Sequence, residues 1–183
     1  MTLCSRDDVK DYLNLTTAED DDTIKSLTEY MSAVIDKYCD RTIESTVTTE
    51  YHNGHGVRTL YPNQYPITSV SGIWQDTAYE WGSGTEIDSS KYLVVNSNNI
   101  LLKSDRFYEY PMCIKIIYTA GYSTIPDDLK FVCITEVVRH LKRRDDPAVI
   151  SRSSTDSSIS YDIGDFLPTS KVVLDRYKKV RVF

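Results

Sequence analysis

Apolar positions recur every three to four residues in some stretches of the chain and every second residue in others, and that contrast separates helices from strands. Ser5 with Asp8 three residues later reads as a variant capping box opening a short helix with Val9, Tyr12 and Leu13 on one face. Thr17 is expected to cap a second helix with an acidic first turn from Glu19 to Asp22 and the stripe Ile24, Leu27, Met31, Val34, Ile35, Tyr38. Past Arg41 the chain turns rich in Thr, Val and Ile with alternating character, predicting strands at 42–51, 57–61, 67–75, 91–95, 100–103 and 112–119. Asn53-Gly54 is read as a hairpin turn, and Gly82-Ser83-Gly84 and the four residues from Asn96 as further turns.

Helical spacing returns after Pro126, expected at the first helical position, with Leu129, Val132, Cys133, Val137, His140 and Leu141 on one face. Arg139, Lys142, Arg143 and Arg144 fall in its last turns, where cations suit the helix dipole. Six serines between 151 and 160 mark a polar connection too poor in apolar groups to build a core. Pro168 opens a last helix whose expected stripe is Val172, Val173, Tyr177 and Val180. The fold class that follows is α+β. It is a small bundle of four helices, with an antiparallel β insertion (42–120) between the second and third and a flexible arm (148–166) before the C-terminal helix (167–183). All of it is read as one domain, 1–183.

At 183 residues the chain is long enough for a core without staples. Its apolar runs, such as 92–95, are far too short to span a bilayer, and Met1 to Asp8 lacks the basic and apolar regions of a signal peptide. No membrane partner is expected, and the chain is placed in the cytoplasm where it is made. Cys4, Cys39, Cys113 and Cys133 are widely spaced, with no C-x-x-C, and read as reduced thiols. The net charge of −6 argues against broad phosphate neutralisation on nucleic acid. Its distribution is uneven: residues 1–40 hold ten acidic groups against four basic, while 171–181 hold five basic groups against Asp175 alone. Such asymmetry suits different partners at the two ends.

Few residue patterns in the chain carry catalytic chemistry. His52 and His55 flank Asn53-Gly54 without a third ligand, so no metal site is expected. No glycine-rich phosphate loop precedes a helix, and Gly82-Ser83-Gly84 is not a nucleophile elbow. Asp20-Asp21-Asp22 reads as helix N-terminal charge rather than a catalytic cluster. No catalytic residue, cofactor or enzymatic activity is assigned. Tyr79, Trp81, Tyr108 and Tyr110 lie in turn-like stretches where contact with a partner is plausible.

Several segments in chain order resemble the head-tail connector proteins of tailed bacteriophages, the adaptor or head-completion family. They are Asp8-Val9-Lys10-Asp11-Tyr12-Leu13; Asp21-Asp22-Thr23-Ile24, leading to Tyr38-Cys39-Asp40-Arg41; and Tyr65-Pro66-Ile67-Thr68-Ser69-Val70. They continue with Tyr118-Thr119-Ala120-Gly121-Tyr122 before Ile125-Pro126-Asp127-Asp128-Leu129-Lys130, and end with Leu167-Pro168 and Leu174-Asp175-Arg176-Tyr177.

The resemblance implies a non-catalytic virion protein, made in the host cytoplasm and ending in the virion neck. It further implies a homo-oligomeric ring of about twelve copies beneath the portal protein, with a stopper or tail-completion protein on its other face. Packaged DNA would pass through the channel without sequence-specific binding. By the same resemblance the C-terminal segment anchors to the portal, through Lys171, Tyr177, Lys178, Lys179, Val180, Arg181, Val182 and Phe183. Packing of this helix on its own bundle is the competing expectation. Other neck or tail-completion roles, a saccharide-binding module using Trp74 or Trp81, and a hydrolase with a noncontiguous acidic site are the alternative functions.

Overall fold

The computed structural model describes residues 2–143, 151–154, 157–160 and 166–179. It contains four helices and antiparallel sheets, the α+β class read from the periodicities. The chain divides into two compact units: residues 1–41 with 125–183, and residues 42–124.

In the first unit α1 (Arg6–Leu13) opens on the expected capping box. The Asp8 amide donates to Ser5 Oγ, the Ser5 amide donates to Asp8 Oδ2, and Asn14 ends the helix in the left-handed region. Thr17 does not cap α2 (Asp21–Cys39), whose N-cap is Asp20, without a side-chain bond. A turn in which the Asp21 amide donates to the Ala18 carbonyl intervenes and delays the helix. Asp21 instead takes ion pairs from Arg6 and Lys10 at 3.0 and 2.7 Å, tying the first turn of α2 to α1.

The buried face of α2 is Ile24, Thr28, Met31, Ser32, Ile35 and Cys39, rotated from the apolar stripe so that two hydroxyl residues lie inside. Both hydroxyls are satisfied locally: Thr28 Oγ1 donates to the Lys25 carbonyl and Ser32 Oγ to that of Thr28, each at 2.7 Å. Their small size therefore admits close neighbours without an unpaired polar group.

Pro126 is the N-cap of α3 (Asp127–Lys142) rather than its first helical residue. Leu129, Val132, Cys133 and Val137 are buried as expected, whereas His140 and Leu141 are only half-buried. α4 (Pro168–Tyr177) carries Pro168 in its first turn and packs on α2 and α3. Arg144, the last of the basic run, lies outside the described residues.

The second unit holds two three-stranded antiparallel sheets. β1 (Thr46–His55), β3 (Ile67–Gln75) and β6 (Glu109–Ala120) form one, in the order β1-β6-β3; β2 (Thr59–Leu60), β4 (Tyr92–Val95) and β5 (Asn99–Leu102) form the other, in the order β2-β5-β4. A common core joins them. It is built from Ile73, Ile114, Ile116 and Tyr118 on the longer sheet, Leu60, Ile100 and Leu102 on the shorter, and Phe107. The alternation of β6 delivers these residues, with 114, 116, 118 and 120 all buried.

Asn53-Gly54 is not a hairpin turn. Both residues lie inside β1, where the register against β6 shifts between His52 and Gly54. The Asn53 carboxamide oxygen accepts from the Met112 amide at 2.9 Å and closes the irregularity. Gly54 is buried under the chain, and a Cβ there would lie 1.8 Å from the Tyr108 carbonyl oxygen. The pair suits a turn by its local chemistry, but here it meets the same demand for a missing side chain in a bulge.

Within the serine-rich stretch β7 (Ser151–Ser154) and β8 (Ser157–Ser160) pair antiparallel. Of the expected arm (148–166), residues 148–150, 155–156 and 161–165 lie outside the described residues. Among the described residues no helix is long and apolar enough to cross a membrane.

Candidate functional site

The C-terminal helix was the sequence-derived candidate surface. Its buried face is Ser170 and Leu174, continued by Phe166 just before the helix, at 3, 0 and 1% exposure. Val172, expected in the apolar stripe, is 60% exposed. The face is set by what precedes the helix: the Leu167 amide donates to Glu136 Oε1 at 2.9 Å, and Phe166 stacks edge-on against Tyr38 with centroids 5.3 Å apart. Entry at this angle turns Leu174 inward and Val172 outward.

Glu136 is fully buried on α3 and missing from the sequence-derived list. It pairs with Arg139 at 2.8 Å; their i,i+3 spacing along α3 marks a helical ion pair in the sequence but not its burial. A charge buried this deeply persists only when paired and hydrogen-bonded, so Glu136 is a fixed seat for the N-terminus of α4.

The end of α4 is held in the same way. Tyr38 Oη donates to Asp175 Oδ1 at 2.8 Å, and Tyr177 Oη donates to Asp128 Oδ1 at 2.8 Å. The ammonium of Lys178 lies 4.6 Å from the centroid of the Tyr38 ring, and the Lys179 amide donates to the Cys39 carbonyl at 2.8 Å, continuing past the last turn of α2. The carboxylate of Asp175 pushes the Tyr38 hydroxyl above its ordinary pKa, because it favours the protonated donor.

Of the eight residues named for this surface, Tyr177, Lys178 and Lys179 are thus engaged on the bundle, and Lys171 is half-buried on α4. Val180, Arg181, Val182 and Phe183 lie outside the described residues. The outward face of α4 presents Val172 and Arg176.

On the second unit the aromatic residues flagged in turn-like stretches divide. Tyr79, Trp81 and Tyr110 come together, with centroids 6.1 Å apart for Tyr79–Trp81 and 6.2 Å for Tyr79–Tyr110. Tyr51 of β1, absent from the sequence-derived list, joins them 5.6 Å from Trp81, and no sequence feature beyond its strand alternation marks it. Tyr108 stands exposed apart from these ring contacts.

A single carboxylate organises this loop. Asp76 accepts from the amides of Ala78, Glu80 and Trp81 at 2.8, 3.0 and 2.9 Å. Tyr79 and Trp81 both adopt positive φ, 62° and 54°, a region bulky residues seldom occupy. Several bonds to one carboxylate over-determine the turn and hold that backbone in place. The same amides, Ala78 and Trp81 foremost, keep the Asp76 carboxyl below its ordinary pKa. Three of the four rings are between 43 and 46% exposed, a small patch of stacked aromatic surface.

A third polar centre stabilises the sheet from within. Glu50 on β1 accepts from Tyr118 Oη at 2.6 Å, from the Asn63 amide at 2.9 Å, and pairs with His52 Nε2 at 2.7 Å. Burial pushes the Glu50 carboxyl upward, but the bonds from His52, Tyr118 and Asn63 outweigh it and leave it below the usual range. His52 is therefore committed to a carboxylate on its own strand. Among the described residues no group of three His, Cys, Asp or Glu side chains converges as metal ligands. A surface cleft of about 500 Å³ lined by Glu86, Lys91, Asp105 and Arg106 carries both signs of charge.

No curated protein matches the chain in sequence. Among solved structures it is similar to a chain in the neck of an empty GTA particle computed with C6 symmetry, at 16% identity and TM-score 0.65, covering 97% of this chain and 90% of that one. A chain in the neck of a native GTA particle computed with C12 symmetry aligns at 16% identity and TM-score 0.61, covering 88% and 84%. One from the virion of a native gene transfer agent particle aligns at 17% and 0.66, covering 97% and 90%. At these identities the likeness is one of fold. A family model described as "Head completion protein" matches residues 2–180, so the chain belongs to the head completion protein family.

Proposed function

We propose that this protein is a neck adaptor: its copies form a ring under the portal, extend the DNA channel and offer the attachment surface for a stopper or tail component. The single observation that carries the reading is the family match over residues 2–180. The fold shared with chains of particle necks, one computed with C12 symmetry, supports it. About twelve copies would close such a ring through a heterologous interface, which needs two different complementary surfaces on each copy. The uneven charge along the chain is in keeping with that requirement.

The portal contact is assigned to Lys171, Tyr177, Lys178, Lys179, Val180, Arg181, Val182 and Phe183, with α4 as a base fastened through Leu174 and the Tyr38–Asp175 bond. The role is structural, with no catalytic step. DNA passes without sequence-specific contacts, in keeping with the net charge of −6.

Native mass spectrometry of the protein with the portal of its own particle tests this reading. It should show a complex with about twelve copies. A chain ending at Lys179, which keeps α4 and its packing, should lose that complex. Retention by the shortened chain moves the anchor elsewhere, and no complex with the full chain overturns the adaptor function.

A further inference from the structure

We infer that Cys4 and Cys133 form an oxidation site, a buried dithiol that hydrogen peroxide converts to an intramolecular disulfide fastening the N-terminal segment to α3. The sulfurs are 3.0 Å apart, at 2 and 0% exposure, on segments 129 positions apart in sequence. Bonding distance is about 2.05 Å, so closure asks for about 1 Å of movement, within reach of side-chain rotation.

The other two thiols differ in kind. Cys39 Sγ faces the Leu174 carbonyl and Cys113 Sγ the Tyr108 carbonyl, both at 3.8 Å, and neither faces a second sulfur.

The surroundings hold Cys4 in place and polarise the pair. The Leu3 amide donates to Ser32 Oγ at 2.9 Å, and Ser32 Oγ lies 3.9 Å from Cys133 Sγ. Lys130, one turn before Cys133, forms an ion pair with Asp8 at 2.7 Å, pinning α1 to α3 beside the thiols. Cys4 donates its proton toward Cys133, which favours the thiolate at Cys133 and the thiol at Cys4. Cys133 is then the nucleophile and Cys4 the resolving thiol.

The chemistry balances with one peroxide. The Cys133 thiolate attacks an oxygen of hydrogen peroxide, the O–O bond breaks, and the departing hydroxide takes up a proton as water, leaving a sulfenic acid. Cys4 sulfur attacks Cys133 sulfur, the S–O bond breaks, and the hydroxide leaves with the Cys4 proton as a second water. Two thiols lose two electrons and one peroxide becomes two waters. Burial of both sulfurs favours this small oxidant over a bulky disulfide.

The bond has a specific structural consequence. The first unit is discontinuous, residues 1–41 and 125–183 being separated by the whole of 42–124. A Cys4–Cys133 disulfide joins its two halves directly and restricts their separation in the unfolded chain.

The test uses the full chain. It is treated with hydrogen peroxide, denatured without reductant, alkylated with iodoacetamide and weighed intact. Expected are a loss of about 2 Da before alkylation, two alkylated cysteines instead of four, and a linked peptide joining Cys4 to Cys133. The melting temperature should rise by several degrees and fall back with dithiothreitol. Four alkylated cysteines after treatment, or linkage through Cys39 or Cys113, overturns the inference. Cys4→Ser should instead accumulate a sulfenic acid at Cys133 that dimedone traps. If that variant does not fold, Cys39→Ser with Cys113→Ser leaves only the proposed pair and must still lose about 2 Da.

Discussion

The hydroxyl of Tyr38 near the end of α2 donates to the carboxylate of Asp175 on α4 at 2.8 Å, while the Lys178 ammonium sits over the same ring. One tyrosine thereby fixes the outer end of the C-terminal helix through two different interactions. Tyr38→Phe keeps the ring and removes only the hydrogen bond, and is expected to cost about 0.5–1 kcal/mol. Tyr38→Ala also removes the cation–π contact and the edge-on packing on Phe166 and should cost clearly more. Amide hydrogen exchange along α4 should accelerate modestly in the first variant and strongly in the second. Unchanged exchange in both would show that α4 is held by Leu174 and Glu136 alone.

Leu174 gives the apolar counterpart of that experiment. It is fully buried, so Leu174→Ala should lower stability by about 2–4 kcal/mol by transfer and cavity terms together. Val172→Ala, on the exposed side of the same helix, should change it by less than about 0.5 kcal/mol. Denaturant melts of the two variants compare the faces directly. Equal effects would mean that the helix is not seated by Phe166, Ser170 and Leu174.

The Glu50–Tyr118 bond makes the second unit sensitive to pH at both extremes. The folded Glu50 pKa lies below its unfolded value, so its contribution is whole above the usual carboxylate range and is lost as pH falls through the folded value. Tyr118 is shifted the opposite way. Burial, then the bond to Glu50, raises its pKa, so its contribution is whole below the ordinary tyrosine range near pH 10 and declines as pH rises beyond it. Glu50→Gln should flatten the acid limb of a stability-versus-pH curve, and Tyr118→Phe the alkaline limb. Chemical denaturation followed from acid to alkaline pH checks both.

Gly54 tests the bulge. A Cβ at this position meets the Tyr108 carbonyl oxygen at 1.8 Å and Cys113 Sγ at 2.8 Å, and the first of these is backbone that cannot rotate away. Gly54→Ala is expected to destabilise by at least about 1–3 kcal/mol, the range for forcing atoms into a packed site. Were Asn53-Gly54 a hairpin turn at the surface, Gly54→Asn would be nearly silent because asparagine tolerates the positive φ of such a turn, whereas in the bulge its Cβ meets the same carbonyl, so thermal melting of that variant separates the two geometries.

How much of this was legible depended on whether a property is carried by neighbours in sequence. The capping box of Ser5 and Asp8 spans four residues and was readable as it stands. So was β3, whose observed bounds at Ile67 and Gln75 coincide with the run of strand-forming residues. Asn53-Gly54 shows the limit. Its composition states that a side chain is unwelcome, but whether the reason is a turn or a crossing carbonyl depends on Tyr108, far along the chain.

The candidate surfaces divide in the same way. The aromatic residues at 79, 81 and 110 were recognisable from turn chemistry, whereas the arrival of Tyr51 beside Trp81 followed from strand pairing. Glu136 reads locally as a salt-bridged surface residue; its burial under the start of α4 comes from a contact 31 positions away.

The sequence by itself determined the α+β class, the four helices and the family, because periodicity, caps and ordered short motifs are local and survive without knowledge of the partners. Tertiary structure alone decided which face of α4 turns inward, that Asn53-Gly54 forms a bulge, and that Cys4 meets Cys133. Each of these is a contact between segments distant along the chain. Side-chain volume and hydrogen-bond satisfaction select such contacts only once the backbone has brought the segments together.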